Sequence, residues 1–163
     1  MSLLCNERLE VLKPEDNPDL FYGHGLDAVE FYHKNKDAKT VFEHETKQAI
    51  ATQRGLDTFL EIGFGFQNIA LEGIAITPEY VSKLRNSDKH DIRYLFLIDE
   101  DAQRIRNRIN TRGLYDDGDK YPDWIKDIEV EWVIMYNEYY KTECMKYGLE
   151  IHNIDEIDSL KIL

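Results

Sequence analysis

The stretch QNIALEGIAI, residues 67–76, decides how this chain is read. It is a short apolar run with one acid, Glu72, near its middle. Runs of this length fit strands covered on both faces, as in parallel sheets. A second run, IRYLFLID at 92–99, is apolar from Tyr94 to Ile98 and ends on acids. Between them TPEYVSKLRNS (77–87) reads as a helix, with Thr77 as N-cap and Pro78 at the first helical position.

Beyond the second run, RIRNRINTRG (104–113) falls on a helix from about Asp101 to Arg112, with Gly113 as its stop. LYDDGDKYPD (114–123) is loop. A long helix from roughly Pro122 to Lys146 follows, closed by Gly148. Trp124, Ile128, Trp132, Met135 and Tyr139 recur at spacings of three and four and predict its buried stripe. LEIHNI (149–154) reads as a last strand. Upstream, LEVLK (9–13) reads as a strand and PEDNPD (14–19) as a loop. GLDAVEFYHKN (25–35) reads as a short helix, and Ala38 to about Phe59 as a longer one. The order β-α-β-α-β predicts one α/β domain, a parallel sheet with flanking helices.

Composition bounds the function. The chain has 163 residues, 42% of them hydrophobic and 32% charged, which suits a folded domain with a core. Its formal net charge of -12 argues against general binding to nucleic acid or an anionic membrane. No apolar run approaches the roughly 20 residues a membrane helix needs. The start, MSLLCNERLEVL, is broken by Asn6, Glu7, Arg8 and Glu10 and does not read as a signal peptide. The expectation is a cytoplasmic protein in which Cys5 and Cys144 are free thiols without metal spacing.

Three features carry candidate chemistry. Arg104, Arg108 and Arg112 are spaced i, i+4, i+8 and share one helix face, while Arg106 points elsewhere and Ile105 and Ile109 hold the helix down. Such a face either binds a polyphosphate, which guanidinium matches with paired donors, or is paired with acids such as Glu100, Asp101, Asp116 and Asp117. Glu72, inside an apolar strand, either holds Mg²⁺ or a substrate hydroxyl at a sheet crevice, or sits at an exposed strand end with Gly73 marking the turn. Glu15 and Asp16 either contact a substrate hydroxyl or metal, or belong to a plain turn. The five histidines show no ligand spacing. Tyr136, Tyr139, Tyr140 and Tyr147 read as packing ahead of a base-stacking platform.

Read together, NIALEG followed by ITPEYVSKL, RYLFLID and RIRNRINTRG resembles the C-terminal three-quarters of small P-loop kinases, in the style of 2-phosphoglycerate-kinase-like and nucleoside-kinase-like members. The resemblance covers about residues 5–155 and rests on order and motif style. It implies a P-loop NTPase core in which Glu72 ends a strand near Mg²⁺ or substrate. It makes Arg104, Arg108 and Arg112 lid arginines on ATP phosphates, and Glu15 and Asp16 a substrate loop. The defining Walker A motif, G-x-x-x-x-G-K-[ST], is absent, since none of the nine glycines starts it and GFGFQN (63–68) lacks the lysine. By the resemblance, the first strand is missing and the chain begins inside the helix that follows the loop.

Two functions follow as expectations. One is a truncated or degenerate phosphotransferase, with ATP and Mg²⁺ as cofactors and a small phosphorylated or hydroxyl-bearing metabolite as acceptor. It keeps its phosphate-binding lid, has lost its ATP loop and is inactive as it stands, with Glu72 and Asp16 as its catalytic acids. The other is a non-enzymatic interaction protein whose acidic surface and aromatic-rich long helix dock a partner, with another copy of itself, as a homodimer, among the candidates.

Overall fold

The computed structural model describes residues 12–62, 68–87, 89, 91–112 and 120–159. Five helices follow in order: α1 (Ala28–Lys34), α2 (Ala38–Ile62), α3 (Pro78–Arg85), α4 (Ala102–Arg112) and α5 (Asp123–Tyr147). Strand β1 (Leu97–Ile98) precedes α4, and β2 (His152–Asn153) follows α5. Short 3-10 turns cover Pro18–Phe21 and Ile154–Ser159.

Helix accounts for 64% of the described residues and strand for 3%, which overturns the expected α/β fold. The chain is not a parallel sheet with flanking helices, nor a P-loop kinase-like core missing its first strand. Its sheet is a two-stranded parallel pair, with Leu97 opposite His152 and Ile98 opposite Asn153. The correction lies in QNIALEGIAI. From Asn68 on the stretch is irregular chain, turning at Gly73 with φ 128°. Side chains, not a neighbouring strand, satisfy two of its carbonyls. The Tyr140 hydroxyl donates to Ile74 O at 3.2 Å, and Gln53 Nε2 donates to Ala75 O at 3.0 Å. Of LEVLK, only Leu12 and Lys13 are described, and both are irregular.

Local rules explain the helix starts. Asp27 caps α1 by accepting from Glu30 N at 2.8 Å, and Asp37 accepts from Thr40 N at 2.8 Å at the start of α2. Thr77 caps α3 by accepting from Tyr80 N at 3.2 Å, and Pro78 opens the helix. Asp101 accepts from Gln103 N and Arg104 N at the start of α4. At the end of α5, Gly148 adopts φ 64° and the Leu149 N–H returns to Cys144 O at 2.9 Å, a Schellman closure.

Helix α5 is the axis of the fold. On one side Ile125 and Ile128 meet Tyr32 of α1 and Val41 of α2, with Ile125, Tyr32 and Val41 wholly buried. Trp132 Nε1 donates to the Tyr32 hydroxyl at 3.1 Å across that core. On another side Val130 packs against Ile105 and Ile109 of α4. At its far end Cys144 joins Val81, Phe96 and Leu149. A helix packed on several sides has no single stripe, and so Trp124, expected inside, lies 37% exposed while Ile125 is buried.

Candidate functional site

The arginine helix folds as expected, and Arg104 is already engaged. Arg104 Nε donates to Asp99 Oδ2 at 2.8 Å and Nη2 donates to Asp99 Oδ1 at 2.6 Å. The outer edge of the same guanidinium donates to Asp155, with Nη1 to Oδ1 at 2.5 Å. Arg108 lies 3.7 Å from Asp99, and Arg106 donates to Asp127 Oδ1 of α5 at 2.6 Å. The side chain of Arg112, like Asp116 and Asp117, lies outside the described residues. The partners are thus Asp99, Asp127 and Asp155, none of which adjacency on the helix would suggest.

Electrostatics follow the pairing. The Arg104 hydrogen bonds hold the Asp99 carboxyl below the usual carboxylate range, against the opposing effect of burial. Asp99 and then Asp155 raise the basicity of Arg104 further. The neighbouring acid Glu100 accepts from Lys141 Nζ at 2.5 Å and from Asn153 Nδ2 at 3.2 Å. Asn137 Nδ2 donates to Asp99 O at 2.8 Å. Residues 99–101 therefore tie β1, α4, α5 and the C-terminal turn into one node. The groove beside it, about 410 Å³ and open, is lined by Asp101, Gln103, Arg104, Asn107, Arg108 and Thr111.

The other expected site residues stand apart. Glu72 is exposed on the irregular stretch before Gly73, as a residue at a turn and not in a strand. Glu15 and Asp16 are exposed in the turn after Lys13, where Asp16 N donates to Lys13 O at 3.1 Å. Among the described residues no hydrogen bond or ion pair joins Glu72, Glu15 or Asp16 to the arginines. Nor do the described residues include a group of three or more His, Cys, Asp or Glu placed to hold a metal. Cys144 is buried, and burial pushes its thiol up to about 11.

The strand pair presents a different kind of surface. From Ile92 to Ile98 burial alternates with period two, and Ile92, Tyr94 and Phe96 face the cluster around Cys144. Leu149 and Ile151 join the same cluster from the chain leading into β2. Arg93, Leu95 and Leu97 therefore face the other way, and all three are exposed. In register beside Leu97 stands the partly exposed His152, and Glu150, 84% exposed, precedes it by two residues. Parallel pairs are ordinarily covered on both faces, and this one is covered on one. The sequence carried a signal for it, because LEIH alternates apolar and polar residues at strand period. The apolar run at 94–98 hid the matching alternation in β1.

Compared with known proteins, the chain matches no family model, no curated protein and no solved structure. No helix among the described residues is long and apolar enough to cross a membrane.

Proposed function

We propose that this chain is a non-enzymatic interaction protein whose docking surface is the open face of the strand pair. The observation that supports the reading is the partial exposure of Leu95 and Leu97, 38% and 37%, on the side of the strand pair turned away from the Cys144 cluster. Burying such a face on a partner recovers apolar area worth about 25 cal/mol per Å². The phosphotransferase reading has less support. Its lid arginine Arg104 already spends both edges on Asp99 and Asp155, and a phosphate entering there would have to displace two carboxylates.

A photo-reactive residue placed at Leu95 or Leu97 tests the reading in the protein's own host cells. Discrete adducts at these positions are expected, and none at Met145 of α5, which is 83% exposed. Equal adducts at all three positions, or none at Leu95 and Leu97, overturn it.

A further inference from the structure

We infer that His152 is a pH-sensitive latch, which ties the C-terminal turn to the strand pair by setting one ring nitrogen against Glu156 and the other against Glu150. The latch does not depend on the docking surface proposed above.

The backbone of His152 is fixed by β2. It stands opposite Leu97, and its N–H donates to Phe96 O at 2.9 Å. Its side chain is 26% exposed. Nδ1 lies 3.5 Å from Glu156 Oε2, and Nε2 lies 4.0 Å from Glu150 Oε2. A neutral imidazole carries one N–H, so in either tautomer a bare ring nitrogen faces one of the two carboxylates. The imidazolium has a proton for each of them. Both separations are those of ion pairs and are longer than direct hydrogen bonds, so the attraction needs the charge on the ring.

Glu156 belongs to the turn Ile154–Ser159. Its Oε2 also accepts from Asn153 N at 3.3 Å, and Asp155 N donates to Asn153 Oδ1 at 3.1 Å. The turn and the residue before it are held by Asp155 on Arg104 of α4, by Asn153 Nδ2 on Glu100, and by Glu156 on His152. The charged groups around this corner are Glu150, Asp155, Glu156, Asp99 and Glu100, with Arg104 and Arg108 of α4, Lys141 of α5, and Arg93 on the exposed side of β1. Arg104 and Arg108 are turned to Asp99 and Asp155, and Lys141 to Glu100. Arginine and lysine ordinarily stay charged through neutral pH, and glutamate down to about 4.3. Histidine is the type of side chain among them whose charge ordinarily changes between about pH 5 and 8.

The sign follows from the geometry. The two carboxylates attract only the charged ring, so the latch holds below histidine's ordinary range and is lost as pH rises through it. Above that range the turn rests on Arg104 and Glu100, and Asp155 leaves the outer edge of Arg104 more often.

Amide exchange followed by NMR on the full chain tests this. Asn153 and Asp155 report the turn, and Leu149, whose N–H returns to Cys144 O, is the reference. Each rate is divided by that of an unstructured chain at the same pH. From about pH 5.5 to about pH 7.5 the opening of Asn153 and Asp155 is expected to rise roughly threefold, the size that a partly exposed ion pair gives, with Leu149 unchanged. His152→Gln is expected to be flat. Glu156→Gln keeps the ring and the strand and is expected to lose most of the rise, and Glu150→Gln a smaller part. Asp155→Asn is expected to raise the opening alike at both pH values, because Arg104 keeps its charge. A flat wild type overturns the inference. So does a rise that survives in His152→Gln or Glu156→Gln, or one that disappears only in Asp155→Asn.

Discussion

Arg104 meets Asp99 edge-on, with Nε and Nη2 donating to the two carboxylate oxygens, so that an arginine suited to phosphate is spent on the residue five positions before it. The pair closes the step from β1 into α4. Asp99 keeps only 11% of its side chain exposed. Its carboxyl is held below the usual range by Arg104, and the sign of the pH dependence follows. A carboxylate with a lowered folded value adds stability above its unfolded value and loses it as pH falls through the folded one. Denaturant melts taken from neutral pH into acid are expected to lose stability across that window. Asp99→Asn is expected to be less stable at neutral pH and to show a shallower acid loss.

The same pairing sets the response to ligands. Melting with ATP·Mg²⁺, ADP or inorganic phosphate is expected to leave the transition where it is. A true site would add about 2.7 kcal/mol at a hundredfold excess over its dissociation constant. A rise of that kind that Arg104→Ala with Arg108→Ala removes would restore the phosphate-lid reading. Glu72→Ala and Asp16→Ala, at exposed turns, are expected to change stability by no more than about 0.5 kcal/mol.

The helices were legible because their signals are local. Thr77 and Pro78 announce α3, Gly148 closes α5, and Ile105 and Ile109 mark the buried side of α4. QNIALEGIAI was misread because a short apolar run has no period to separate a strand from packed irregular chain. What decides it is distant: Gln53 on α2 and Tyr140 on α5 donate to the carbonyls that a strand would give to a neighbour. Two of the arginine partners were hidden for the same reason, since Asp155 lies 51 residues from Arg104 and Asp127 21 residues from Arg106. Charge on the helix was visible, but not which acids the fold would bring to it.

The core around α5 is expected to respond sharply to truncation. Ile125 is wholly buried against Tyr32 and Val41, and Ile125→Ala removes methyl groups where the packed helices cannot readily close. A loss of about 2–5 kcal/mol by denaturant titration is expected. Ile50→Ala on α2, where the side chain is 54% exposed, is expected to cost about 0.5 kcal/mol or less. Similar costs at the two sites would mean that α5 is not the centre of the core.

Two glycines separate strain from collision. Gly148 holds φ 64°, and a Cβ there would meet nothing within 4 Å. Gly148→Ala is therefore expected to cost only the left-handed backbone penalty, about 1 kcal/mol. Gly23 holds φ 73°, and a Cβ there would come 2.9 Å from Cδ2 of Phe31. Phe31 is buried beside Tyr32 and stacks edge-on with Tyr22, so its ring has no free direction to yield. Gly23→Ala is expected to cost distinctly more than Gly148→Ala in the same denaturant titration. Near-equal costs would show that the Phe31 ring gives way, and that the Tyr22–Phe31 corner is looser than its packing shows.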